Sequence, residues 1–205
     1  SFIVSSKGRT VLEAFSNMHA ISDKTPFLGH VKYIIIGEDA AKKKITEYLD
    51  LFFRYYEARL NLIVMVVKAG TAEQVIQEIG AQEGFLGDKL KSIFEDRDAL
   101  SISDEVRIID AMDMLDNEHA GAYLPCIYLE KTKHKDVSGD RKGPKIKLDG
   151  YGVFKEAKLI GYINGNTARG FNWITDRIKS GLFILKDDQG KDIALEIINT
   201  SSKIK

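Results

Sequence analysis

Residues 150–205 read GYGVFKEAKLIGYINGNTARGFNWITDRIKSGLFILKDDQGKDIALEIINTSSKIK. They split into two short apolar runs, a helical stretch and two further apolar runs, with a turn signal at every joint. Residues 150–154 and 159–163 pair as a hairpin. Residues 164–166 supply a turn and a helix cap. Ala168, Phe171, Ile174 and Ile178 fall on one helix face, and Gly181 fits the position just past a helix end, where glycine is favoured. Residues 182–185 and 193–198 flank DDQG at 187–190, a hairpin loop. No pair or triad here has the spacing of catalytic chemistry. The stretch reads as scaffold that pairs strands and presents a surface, which favours a binding or assembly role over an enzyme.

Immediately upstream the composition shifts. Residues 131–145 are Lys-rich and polar and include Gly139, Gly143 and Pro144, the chemistry of a linker or exposed loop. The expected organisation is an α+β protein of two parts. Residues 1–130 form a larger α+β domain with a mixed sheet and flanking helices, and residues 131–147 form the linker. Residues 148–205 form a smaller domain of two hairpins plus one helix, of marginal size to fold alone.

The larger part carries its own punctuation. TVLE at 10–13 and TAEQ at 71–74 are capping boxes that start helices. Residues 31–36 are β-branched and aromatic and stop at Gly37, as a strand does. Glu38 and Asp39 then suit a helix N-terminus, and Ala41, Ile45, Tyr48, Leu49 and Phe52 form one apolar stripe. Residues 60–67 are apolar on both alternating faces apart from Asn61, so they read as a strand covered on both sides. Residues 85–94 and 106–115 are further helical patterns, the latter with Ile109, Met112 and Leu115 on one face. Residues 123–129 read as a strand that Pro125 confines to an edge or a strand start.

Lysine plus arginine and aspartate plus glutamate are both 30, so the formal net charge is +0. No bulk field draws the chain to nucleic acid or an anionic membrane. Charged residues at 29% and hydrophobic residues at 44% fit a folded protein. The one cysteine, Cys126, forms no internal disulfide and no metal cluster by itself. The longest apolar run, 62–67, is far short of the roughly 20 residues of a membrane span. SFIVSSKG has no signal-peptide pattern, and Phe2 to Val4 look like the end of a strand, so the chain is expected to begin inside a larger polypeptide.

Six blocks, in order, resemble the Ger(x)C family, the C subunit of spore germinant receptors in endospore-forming bacteria. They are SSKGRTVLEAF at 5–15, FLGHVKYIIIGEDAAKKKI at 27–45, YEARLNLIVMVVKAGTAEQVI at 56–76, LPCIYL at 124–129, GYGVFKEAKLIGYINGNTARGFNWI at 150–174 and IALEIINTSSKIK at 193–205. Residues 77–121 match only as generic helix. The resemblance implies a lipoprotein on the outer face of the spore inner membrane. It works there with two integral-membrane subunits, A and B, and is required for nutrient-triggered germination. No enzymatic activity is attributed to the family. The family precursor begins with a signal peptide and a lipobox cysteine and ends with another α+β domain. Cys126, deep in a strand pattern, does not match the lipobox cysteine, so the lipid anchor comes from the resemblance alone.

The chemistry-bearing residues are weighed against plainer roles. His19, His30, His119 and His134 show no ligand spacing and no HExxH. His30 reads as a structural histidine and His134 as a solvated one. Gly150 and Gly152 begin a GxGxxG only on paper, because residue 155 is lysine and a hairpin follows. Asp187 and Asp188 lack the ligand set of a calcium loop. The acids between Asp110 and Glu118 read as a solvated helix face, and Cys126 reads as a small apolar filler. No cofactor, metal or nucleic-acid partner is expected.

Two groups suit an interaction role. Arg54, Glu57, Arg59 and Asn61 stand at the end of an amphipathic helix and the entry to the buried strand. Arg169 and Trp173 lie one helical turn apart, where a cation–π pair can form. The leading reading is a non-catalytic receptor subunit that works through protein contacts. A second is a nutrient sensor with a ligand in the cleft between its two parts. A third is a hydrolase whose fold brings a histidine to an acid and a nucleophile. The two-part organisation carries an expected outcome: limited proteolysis cuts first within 131–147, and first cuts within 60–79 contradict it.

Overall fold

The computed structural model describes residues 3–21, 28–55, 59–81, 86–97, 101–117, 121–130, 144–178, 180–197 and 200–201. Most of the stretch expected as a linker, together with Glu57, His119 and His134, lies outside the described residues.

The elements in chain order are α1 (Val11–Ile21), a 3-10 turn (Leu28–His30), β1 (Tyr33–Ile36), α2 (Glu38–Ala41), α3 (Thr46–Arg54), β2 (Ile63–Val67), α4 (Ala72–Ala81), α5 (Leu86–Arg97), α6 (Ile108–Asp116), β3 (Ala122–Glu130), β4 (Lys145–Lys155), β5 (Lys158–Ile163), α7 (Gly165–Ile174), β6 (Gly181–Lys186) and β7 (Asp192–Ile197). The capping boxes start their helices. Thr71 and Gln74 bond reciprocally at 2.9 and 3.1 Å. At α1 the Glu13 amide reaches the Thr10 hydroxyl, while the Glu13 carboxylate takes the amide of Arg9 in place of that of Thr10.

β1 to β5 make one five-stranded sheet in sequence order. β1–β2 and β2–β3 are parallel, and β3–β4 and β4–β5 antiparallel. The sheet is therefore mixed, and the fold is α+β as expected. The hairpins and helix expected in the smaller part are present, but the first hairpin, β4–β5, is not a separate sheet. It extends the one that β1–β3 begin, and only β6–β7 stands apart among the described residues. Periodicity marks a strand but not its partner, so the β3–β4 ladder across the lysine-rich stretch is silent in sequence.

One core lies on the side of α2, α3 and α6. It holds Ala41, Ile45, Leu49, Val64, Val66, Ile108 and Leu124, and Phe154, Ala157 and Leu159 of the β4–β5 hairpin join it. The other, with Met65, Val67, Val75, Leu90, Phe94, Ile127 and Leu148, lies under α4 and α5. β2 is buried by both, which is why its sequence is apolar on both faces. Gly152 permits close packing at the first core, since a Cβ there would stand 2.7 Å from Val66 Cγ1.

Several local expectations are corrected. The stripe Ala41–Ile45–Leu49 is buried throughout but spans two helices, α2 and α3, with the Ile45 amide bonded to Ala157 O at 2.9 Å. On α6 the buried face is Ile108, Ala111, Met112 and Leu115, and Ile109 is exposed. Pro125 sits in an interior strand. It is tolerated because the β2–β3 ladder begins at Cys126 and the β3–β4 register shifts between Pro125 and Ile127. α7 ends at Ile174, with Asp176 in the left-handed region at φ 56°, so Gly181 starts a strand and does not cap the helix. Ile174 is exposed, and the buried α7 side chains are Ala168 and Asn172.

The β4–β5 turn places two consecutive non-glycine residues, Glu156 and Ala157, at φ 50° and 59°. Each costs about 1–2 kcal/mol relative to ordinary backbone. Burial of Ala157 and its bond to Ile45 hold the turn. Asparagine tolerates this conformation better, so Glu156→Asn is expected to raise the unfolding free energy by about 0.5–1 kcal/mol in urea titration. A loss of stability would show that the Glu156 side chain is needed in place.

Candidate functional site

The functional geometry centres on the junction where β4, β5 and α7 meet the first half of the chain. Segment 101–107 threads beneath α7. Asn172, buried in the helix, donates from Nδ2 to Ser101 O at 2.9 Å and accepts from the Tyr151 hydroxyl at 2.8 Å. The Ser103 hydroxyl donates to Gly150 O at 2.9 Å, and that of Ser101 donates to Ser180 O. Ser101, Ser103, Tyr151 and Asn172 are thus each paired, as desolvation demands. Tyr123, Tyr151 and Phe171 pack edge-to-face, with centroids 4.9–6.0 Å apart. Arg177 lies 5.2 Å from the Tyr123 ring centre and 3.8 Å from the Asp104 carboxylate. Burial holds the Tyr151 phenol well above its ordinary range, partly opposed by the hydrogen bond it donates to Asn172.

A second polar group gathers past the end of β2. Lys68 Nζ is 3.8 Å from Asp149 and 5.4 Å from the centre of the Tyr162 ring. Asp149 also accepts the Gly165 amide at 2.7 Å, tying β4 to the first turn of α7. The Glu38 carboxylate meets Lys42 at 2.8 Å and takes the amide of Ala69. The hydrogen bond from Lys42 and, after it, the Ala69 amide hold it below the usual carboxylate range. Cys126 nearby is fully buried, and desolvation pushes its thiol up to about 12. A neutral buried thiol is no nucleophile. Among the described residues no group of three His, Cys, Asp or Glu is placed to hold a metal ion. No described helix is long and apolar enough to cross a membrane.

Two grooves lie elsewhere on the described surface. One, of about 400 Å³, lies between the α2–α3 connection, the end of α6 and the β4–β5 turn. The other, of about 330 Å³, lies at the starts of β1 and β2 and is lined in part by His30, Lys32, Arg59 and Asn61.

The residues expected to make contacts are distributed as follows. Arg59 and Asn61 share the second groove. Arg54 is exposed and pairs with Asp50 on its own helix at 2.5 Å. Arg169 and Trp173 are each half-buried on α7, and the Arg169 Nε is buried without a hydrogen-bond partner. Near α7 the Arg177 guanidinium packs over the Tyr123 ring. Sequence reasoning missed Asn172, Ser101 and Ser103. A lone asparagine in a helix and two serines in a loop look like ordinary solvated residues until the fold buries them.

The fold is a mixed sheet sandwiched by helices and continued by a hairpin, a helix and a second hairpin. Comparison with known proteins makes this specific. Residues 1–129 match the Spore germination protein N-terminal domain, and residues 149–205 match the Spore germination B3/GerAC-like C-terminal domain. The chain belongs to this spore germination family, and the resemblance to Ger(x)C proteins is thereby shown. Spore germination protein B3 of Bacillus subtilis (strain 168) is 27% identical over 98% of this chain and 51% of its own length. Spore germination protein GerQC of Bacillus cereus is 22% identical over 99% of this chain and 53% of its own. The chain thus spans about half the length of these curated relatives. The crystal structure of the GerBC protein shares the fold, with a TM-score of 0.62 and 23% identity over 91% of this chain and 50% of that one.

The Cys126 environment fixes a pH response. Its thiol ionises near 9 when solvated and near 12 in the fold. Folding therefore favours the protonated form, and the unfolded chain releases this proton first. The stabilisation is complete below pH 9 and is lost between about 9 and 12, with Tyr151 acting in the same direction at higher pH. The urea midpoint is expected to hold to pH 9 and then fall, and less steeply in Cys126→Ala. Equal slopes in the two proteins would contradict this.

Proposed function

We propose that this chain is part of a non-catalytic germinant-receptor C subunit, required for nutrient-triggered germination and acting through contacts with the A and B subunits. Family membership supports the germination role. In the full-length protein the resemblance adds a lipid anchor on the outer face of the spore inner membrane. The observation that carries the contact reading is the β6–β7 hairpin. Leu182 and Ile184 are exposed on one face, and Leu185, Ile193 and Leu195 on the other. A two-stranded hairpin is marginal in water by itself, and a concentration of exposed apolar side chains marks an interaction surface. Ile174, on the helix that leads into this hairpin, is exposed as well. Arg169 and Trp173 stand on that same helix and extend the surface.

The test is the double variant Ile184→Ser with Leu195→Ser, and separately Trp173→Ala, in the full-length protein. Recovery of A and B subunits from spores is expected to fall roughly tenfold or more, since anchor residues carry about 2 kcal/mol or more each. Melting of the purified variants is expected to stay within a few degrees. Intact assembly with intact folding would place the contacts elsewhere, and a large loss of stability in Trp173→Ala would make that residue part of the core.

One observation favours the second reading, a nutrient-sensing cleft. The groove of about 400 Å³ is lined from both halves of the chain, by Lys44 and Met114 on one side and Phe154 and Lys158 on the other. Its size falls within the roughly 300–1,000 Å³ of small-molecule sites.

A further inference from the structure

We propose that the groove at the starts of β1 and β2 binds a phosphate monoester, either soluble or presented as a lipid headgroup. Lys32 and Arg59 line it together with His30 and Asn61, and among the described residues its lining holds no carboxylate. Both cations are exposed, and neither enters an ion pair among the described residues. Other grooves differ. The one at the β4–β5 turn sets Asp116 and Glu156 beside Lys44 and Lys158, and one between the start of α1 and α3 sets Glu47 beside Lys7 and Arg9. Arg54, Lys91 and Arg107 each pair with an acid three or four positions along the chain. In a chain of formal net charge +0, two unmatched cations in one concave site focus a local positive potential on an anion.

The backbone holds the two cations together. β1 and β2 are parallel with Tyr33 beside Ile63, so Lys32 stands at the same end of the sheet as residues 59–62, across a strand spacing of about 4.8 Å. The Ile63 amide donates to Lys32 O at 2.9 Å, and the Leu62 amide to Arg59 O at 3.3 Å. Leu28 and Leu62 are buried beneath, so both cations are presented from fixed backbone, which lowers the entropic cost of binding. Val31, Tyr33 and Ile63 are half-buried and give the groove an apolar wall, where charge-assisted hydrogen bonds are stronger than in water. Burial, and after it Glu105, Glu95 and Asp88, raise the Tyr33 phenol above its ordinary range. It stays a neutral hydroxyl and does not repel an anion. The ligand follows from these groups. A guanidinium fork matches two phosphate oxygens, and a lysine adds a second point charge. A carboxylate carries one charge, which Arg59 alone matches. A phosphate monoester carries close to two negative charges at about pH 7, so it engages Arg59 and Lys32 at once.

The experiment titrates the whole 205-residue chain and follows amide chemical shifts at constant ionic strength. The soluble probes are glycerol 3-phosphate, inorganic phosphate and acetate. Vesicles of phosphatidylcholine, with and without phosphatidic acid, are tested by co-sedimentation. Glycerol 3-phosphate is expected to shift the resonances of His30, Lys32, Tyr33 and Asn61 saturably. Lys32→Gln and Arg59→Gln are each expected to weaken it about tenfold, since a lost charged hydrogen bond has about that effect. Lys147→Gln, on β4, is the control and is expected to change nothing. All three variants alter exposed side chains, and the rest of each spectrum is expected to match the wild type. Sedimentation with phosphatidic acid vesicles that both groove variants abolish would assign the site to a headgroup. Saturable soluble binding without sedimentation would assign it to a soluble monoester. Acetate binding as tightly as glycerol 3-phosphate would overturn the proposal, as would binding unchanged in both groove variants or no shift with any probe at millimolar concentration.

Discussion

The β3–β4 ladder is the contact on which everything else depends. It runs from Ala122↔Phe154 to Glu130↔Lys145 and converts two consecutive stretches of chain into one sheet. Through it the β4–β5 hairpin is carried over the first core, where Phe154, Ala157 and Leu159 complete the packing around Ile45 and Val66. Deleting a buried side chain of that size costs several kcal/mol in typical cores, so neither half keeps its packing without the other.

The same ladder positions the polar junction. β4 brings Tyr151 to Asn172 and Asp149 to Gly165, so α7 is fixed by two hydrogen bonds from one strand. Ser103 adds a bond from the first half of the chain to Gly150. α7 and the hairpin after it are thereby set in a defined place relative to β1–β3. A subunit that works by contact needs its exposed side chains on a rigid base, and a cleft between two parts of a chain needs walls of fixed separation.

The strands, helices and turns were legible to the extent that local chemistry determines them. The double-faced apolar run of β2 announced its burial, and Thr71 with Gln74 announced the start of α4. Asn164 announced α7, whose Thr167 amide it accepts at 3.0 Å. What stayed hidden was non-local. Nothing in 122–130 or 145–155 names the other as partner, so the continuation of the sheet from β3 to β4 is silent in sequence. Pro125 was read by the rule for regular strands, and a register shift excuses it. Ile109 and Ile174 fit a helix stripe by spacing, yet each points away from the core, because the neighbouring elements and not the period decide which face is covered. Of the contact residues, Arg59 and Asn61 line one groove, and Arg169 and Trp173 stand on α7. The groove at the β4–β5 turn had no signal in sequence, since its walls come from three separate stretches, 44–46, 114–122 and 154–158.

The central claim is that the two halves form one cooperative body joined by the β3–β4 ladder. The most direct measurement uses Trp173, the single tryptophan, as a reporter of the second half. Its fluorescence is followed in urea beside the far-ultraviolet circular dichroism, to which α1–α6 of the first half contribute most of the helix. The account predicts coincident transitions with one midpoint and one slope. A Trp173 transition complete before the helical signal begins to fall would show that the second half unfolds independently, and would contradict it.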